Sequence, residues 1–269
     1  MITFHNITVL LLFIVAGVLS SSLAMAIPNK VSGGYHDFSV SGGSSQWRSA
    51  TETEVCIFCH TPHNAKPAKF LWNKAVNNNS FSNPNYFRLY TSSATLTSVT
   101  KASSLTASSP SLLCLSCHDG KTAINVLHNS RGGTDASGDG YPDGSRYDGT
   151  PHVIQDAYSF ETSSTLHYNL GAAADGSNGA QGDDLTNDHP IGFSYSEVLA
   201  ERSVGLHTLA DAKNAGIRFF DIDGKIAKVE CSSCHNPHAD YSPGGDENLR
   251  PFLVKSNVGS ALCLSCHDK

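Results

Sequence analysis

All eight cysteines of the chain belong to four copies of one short pattern, Cys-x-x-Cys-His. Two thiols in this spacing lie about one helical turn apart and can add to the two vinyl groups of one porphyrin, and the adjoining His then lies beneath the iron as proximal ligand. The pattern predicts four covalently bound c-type haems. The thiols are Cys56, Cys59, Cys114, Cys117, Cys231, Cys234, Cys263 and Cys266, and the proximal ligands are His60, His118, His235 and His267.

Paired cysteines also occur in disulfides, in thioredoxin-like dithiols and in zinc ribbons. Disulfides and thioredoxin-like dithiols do not explain why a His follows every pair. Zinc ribbons usually place their His at a distance from the second Cys. Haem attachment is therefore the interpretation that accounts for all four copies.

The second axial ligands are predicted to be histidines. The only methionines, Met1 and Met25, lie in a segment that we expect to be removed, so His/Met ligation is excluded. Bis-His iron has no vacant position for a substrate and a low potential, which favours electron transfer over catalysis. Eight histidines remain for the four positions: His36, His63, His128, His152, His167, His189, His207 and His238.

Two of these histidines follow a proximal ligand in a repeated His-x-Pro-His pattern, at His60 to His63 and at His235 to His238. The second His of each pattern is too close along the chain to reach the opposite face of the same haem. We therefore expect His63 and His238 each to bind a different iron, the alternative being a solvated loop histidine. His189, in Asp-His-Pro-Ile, is a further candidate.

The four motifs form two similar pairs within one tetrahaem domain, residues 27–269. Residues 54–128 hold the first pair and residues 189–269 the second. The stretch 129–188 between them is rich in Gly, Asp, Ser and Asn and is predicted to be a loop-rich insertion.

Residues 1–26 are predicted to be a signal peptide. An apolar run from Ile7 to Leu19 precedes Ala24-Met25-Ala26, a small-x-small cleavage pattern. The run is shorter than the roughly 20 residues of a bilayer span, which argues against an uncleaved anchor helix. The chain is thus expected to be exported to the cell surface or the extracellular space, with the periplasm as alternative, and to have no membrane span after cleavage.

Composition predicts an irregular fold, mostly coil with short helices and a minor β-hairpin, organised around the four haems. Hydrophobic residues make up only 39% of the chain, so the protein core should be thin. The hairpin is expected from Ile217–Ile222 and Lys225–Val229 around Asp223-Gly224, short helical turns at each motif, and a helix over Tyr195–Ala212. A net charge of -6 without a basic run argues against nucleic acid as a partner.

One acidic loop could hold calcium. Asp135, Asp139 and Asp143 place oxygen ligands around a Gly turn, as a Ca²⁺ loop does. The bidentate Glu that closes an EF-hand loop is absent, and a flexible acidic loop is the alternative.

Several strings resemble the doubled-CxxCH multihaem cytochrome c family, and within it the OmcE-type tetrahaem cytochromes that polymerise into extracellular filaments. The resemblance implies bis-His iron, little regular structure and a haem chain that continues between subunits. It also implies that His36 is the fourth axial ligand, with His128 in reserve. The strings are Cys59–Ala65, Leu71–Asn73, Leu113–Gly120, Asp188–Ile191, Val229–His235 and Asp268-Lys269.

The sequence and the resemblance together favour an extracellular electron-transfer protein that forms a head-to-tail filament and exchanges electrons with redox proteins or extracellular acceptors. A monomeric periplasmic shuttle and a multihaem reductase with one open iron are the alternatives. No catalytic residues are predicted. Subunits are expected to join through an axial ligand supplied by a neighbour, with His36 as the donor, because the Gly/Ser-rich segment before the first motif is long enough to carry it there; the alternative is that His36 ligates a haem of its own chain.

Overall fold

The computed structural model describes residues 30–42, 52–61, 71–74, 87–90, 95–119, 127, 184–186, 188–202, 204–240 and 245–269. Regular structure in these residues is sparse and its elements are short, which agrees with the predicted irregular fold. The α-helices are α1 (Ser98–Lys101), α2 (Ser111–His118), α3 (Tyr195–Glu201), α4 (Leu209–Asn214) and α5 (Cys231–Cys234), and the 3-10 turns are Val55–Phe58, Glu247–Leu249, Val258–Ser260 and Cys263–Ser265.

A small antiparallel sheet precedes the third motif. Strands β2 (Phe220–Ile222) and β3 (Lys225–Val229) form the predicted hairpin, which is confirmed. Asp223 and Gly224 both have positive φ, 51° and 77°, the conformation of a type I′ turn that follows the twist of paired strands. A strand that the sequence did not reveal, β1 (Phe193–Ser194), pairs with the other side of β3. Two residues are too few for a strand periodicity to be visible.

Each Cys-x-x-Cys-His motif lies on a helical turn, as predicted. The first and fourth motifs begin in 3-10 turns, the second lies in α2 and the third in α5. The prediction of one continuous helix over Tyr195–Ala212 is wrong. Helix α3 ends at Glu201, and the next residue, Arg202, has extended backbone angles. A new helix, α4, starts after Thr208, whose hydroxyl accepts the Asp211 N–H.

The described residues form three small apolar clusters, each beside a haem motif. The largest surrounds α2, the second joins the sheet to the fourth motif, and the third joins residue 35 to the segment after the third motif. Their buried members are Phe87, Leu89, Tyr90, Leu105, Leu112, Leu115 and Leu185; Tyr195, Ala212 and Val229; and Ala239 and Leu249.

The predicted signal peptide lies outside the described residues. The predicted insertion, residues 129–188, also lies outside them except for 184–186 and 188. In the part of the chain that the structure describes, no helix has the length and apolar character to cross a bilayer.

Candidate haem sites

The first motif faces a histidine from the second half of the chain. The imidazole rings of His60 and His238 have centroids 6.4 Å apart, and their planes differ by 21°. Trp72 packs edge-on against His60, with ring centroids 5.5 Å apart, and its Nε1–H donates to Ser116 Oγ over 3.0 Å. Trp72 therefore ties the first site to helix α2, which carries the second.

The second motif faces a histidine from the N-terminal segment. The His36 and His118 rings have centroids 6.2 Å apart, with an interplanar angle of 63°. Phe252 stacks on the His36 ring, with centroids 4.2 Å apart and planes 6° apart. Both histidines belong to the same chain, so this contact favours the alternative in which His36 ligates a haem of its own chain.

A buried carboxylate shapes the turn that carries His36. Asp37 is fully buried, and its side-chain oxygens accept the backbone N–H groups of Gly33 over 2.6 Å and of Ser39 over 3.0 Å. These bonds constrain the backbone on both sides of residue 36.

The separations within both pairs fit one iron atom between two imidazoles. A metal–imidazole bond is about 2 Å long and the ring nitrogen lies about 1 Å from the ring centre, so two coaxial ligands have ring centres about 6 Å apart. Each pair includes the His of a Cys-x-x-Cys-His turn, which supplies the two thiols for covalent attachment. The residues present therefore fit a c-type haem at the first and second sites.

The other two sites are partly described. Burial lowers the pKa of His267, and the neighbouring His189 adds to this effect, so His189 lies close to the fourth motif. Among the described residues, no imidazole ring is in contact with His235 of the third motif. His63 and His128 lie outside the described residues, and the assignment of His63 to an iron other than that of His60 stays a prediction.

Three of these histidines share a second feature that the sequence did not suggest. In each, Nδ1 lies within hydrogen-bond distance of a proline carbonyl oxygen. A carbonyl can only accept, so Nδ1 carries the proton and Nε2 is left with a lone pair for a metal. The pairs are His36 with Pro237 at 3.3 Å, His235 with Pro251 at 2.8 Å and His189 with Pro190 at 2.9 Å.

Burial keeps three of the candidate ligand rings neutral. Burial, together with the nearby His118, lowers the pKa of His36 to about 4. Burial also lowers the pKa of His235 and of His238. Metal binding requires the neutral imidazole, so His36, His235 and His238 hold the protonation state that iron ligation needs at neutral pH.

The thiols of successive motifs are close enough to influence one another. Burial and the neighbouring Cys117 raise the pKa of Cys59 to about 12. Burial and Cys266 likewise raise the pKa of Cys234 to about 11. These electrostatic effects act between the first and second motifs and between the third and fourth.

The residues predicted to bind calcium lie outside the described part of the chain, so calcium binding stays a prediction. They are Asp135, Asp139 and Asp143. Phe252 and the proline carbonyls are the site residues that sequence reasoning missed. A backbone acceptor has no side-chain signature, and a single Phe gives no sign of what it stacks on.

The segment that carries the third and fourth motifs matches a known family model. The doubled CXXCH motif matches residues 224–269, which contain the third and fourth motifs. This match supports a multihaem c-type cytochrome family, and the motifs imply covalently bound c-type haem for electron transfer. The comparison with curated proteins gives no match.

Proposed function

We propose that the protein transfers electrons through four covalently bound haems, each with two histidine ligands. The observation that carries this proposal is the pair of facing imidazoles at the first and second sites, His60 with His238 and His36 with His118, each with room for one iron. When bound, haem supplies reversible one-electron chemistry. The chain's own residues attach it, orient it and exclude water from it.

The same geometry argues against catalysis at these two sites. An iron with an imidazole on each face has no position for a small oxyanion or for O₂. Phe252 stacked on His36 and Trp72 against His60 restrict movement of the ligand rings. A reductase function would need one iron with an open position, and we propose that the protein is not an enzyme.

Intact mass and carbon monoxide binding test the proposal together. The mass of the mature protein is expected to exceed that of its polypeptide by four haems, and the reduced protein should bind little carbon monoxide because all four irons are six-coordinate. A disulfide, bound zinc or fewer than four haems would refute the stoichiometry. Rapid full-occupancy binding at one haem would revive the reductase function.

We propose His63 as the second ligand of the third haem. His238 lies three residues after His235 and faces His60, so the third motif's segment supplies a ligand to the first site. The His-x-Pro-His pattern is the same after the first motif, and the reciprocal arrangement assigns His63 to the iron held by His235. In the same arrangement, His189 is the second ligand of the iron held by His267.

The finer proposal is that the exported protein assembles head to tail on the cell surface and passes electrons along the assembly to redox proteins or extracellular acceptors. The resemblance to the filament-forming tetrahaem cytochromes supports it. Because His36 faces His118 of its own chain, a junction between subunits would need a different donor or a non-ligand contact. Electron microscopy of the secreted protein separates filaments from the monomeric periplasmic shuttle.

A further inference from the structure

Helix α2 and the start of the third motif are joined by buried polar side chains. Ser111, at the start of α2, and Glu230, just before Cys231, are both buried. The Ser111 hydroxyl donates to a Glu230 carboxylate oxygen, and the Cys231 N–H donates to Ser111 Oγ over 2.9 Å. Lys228 Nζ lies 3.8 Å from the other Glu230 oxygen. We call Ser111, Lys228 and Glu230 the junction clasp.

The junction clasp is costly to bury. Glu230 Oε1 has no hydrogen-bond partner, and its closest opposite charge, Lys228, is itself almost fully buried. Two apolar side chains could fill such a contact at less cost, but they would not fix the relative position of the two segments with directional bonds. The clasp therefore indicates that the position itself matters.

The clasp lies beside the haem-attachment atoms of two motifs. Cys114 is three residues after Ser111, on the same face of α2, and Cys231 follows Glu230 directly. Because the Cys231 N–H donates to Ser111 Oγ, one turn before Cys114, the two cysteines are held near each other. These free thiols stand for the thioether sulfurs of the loaded protein, so the second and third porphyrins that they would hold would also lie near each other.

We propose that the junction clasp is a positioning device that holds the second and third haems in contact, so that electrons cross directly from the first motif pair to the second at this place. The inference rests on the proposed function, because it requires haem at both motifs. Neither Ser111 nor Glu230 ligates iron, and each acts through the position of the cysteine beside it.

Redox titration followed by NMR, with the haem methyl signals assigned, measures how far oxidation of one haem shifts the potential of each other haem. In Ser111→Ala and in Glu230→Ala, the interaction between the second and third haems is expected to fall roughly twofold, because the irons separate and water enters between them. Glu230→Gln keeps an acceptor for Ser111 and should retain the interaction. All variants should keep four low-spin haems.

Ser265→Ala is the matched control. Ser265 is a buried serine of the fourth motif, and its hydroxyl donates to the Ala261 carbonyl over 3.0 Å. This substitution should leave the interaction between the second and third haems unchanged. The proposal is overturned if that interaction persists in both Ser111→Ala and Glu230→Ala, or if Glu230→Gln weakens it as much as Glu230→Ala does. Failure of the proposed function would instead appear as missing or open haems in the unmodified protein.

Discussion

Replacing His238 with Ala is expected to remove an axial ligand from the iron of the first haem, although residue 238 follows the third motif. His238 faces His60 with ring centroids 6.4 Å apart, whereas it is too close in sequence to His235 to reach the far side of that iron. Loss of its imidazole should leave one haem of the four five-coordinate and high-spin. Carbon monoxide should then bind the reduced protein at one haem.

Electron paramagnetic resonance identifies which haem has opened. The anisotropy of a low-spin ferric bis-His haem grows as its imidazole planes turn from parallel towards perpendicular. The angle of 21° at the first site predicts a rhombic signal, and 63° at the second predicts a more anisotropic one. His238→Ala should remove the former and His36→Ala the latter.

His207→Ala is a suitable control for both substitutions. The hydrogen bonds of His207 in the structure are made by its backbone, whose N–H donates to the Cys266 carbonyl and whose carbonyl accepts the Tyr195 hydroxyl. Its replacement should leave every low-spin signal in place. Opening of the third haem by His238→Ala, with the first unaffected, would contradict the assignment.

The chain without haem is expected not to fold. With all eight cysteines replaced by Ser, the protein should lose its entire stability, typically about 5–15 kcal/mol for a domain, because the chain is only 39% hydrophobic and the apolar clusters of its described residues are too small to offset the ordering entropy. Haem binding would then supply folding free energy directly. Circular dichroism should show no cooperative thermal transition.

A double substitution at the last motif provides the comparison. Cys263 is exposed and lies close to the end of the chain. Cys263→Ser with Cys266→Ser should therefore remove one haem and keep a cooperative transition at lower temperature. Cooperative unfolding of the cysteine-free chain, with helix content equal to that of the loaded protein, would show that the polypeptide core suffices.

The sequence predicted those features whose causes are local. The helical turns at the motifs depend on a five-residue spacing, and the β2–β3 hairpin depends on alternating residues around Asp223-Gly224. Which imidazoles face each other was not predictable in the same way, because His36 and His118 are far apart in sequence and no short pattern relates them. The His36 ring is held instead by tertiary contacts, among them its stacking on Phe252.

The contact between His60 and His238 also changes the connectivity of the loaded chain. If His238 ligates the iron of a haem bonded to Cys56 and Cys59, as proposed, that haem would join the two halves of the polypeptide as a disulfide would. Such a cross-link over a long loop removes unfolded-state entropy, about 4–5 kcal/mol for loops of 100 residues or more. A single proteolytic cut between Asp119 and Asp184 would thus leave two fragments that the iron still holds together. The cleaved protein would stay associated although its chain had been broken.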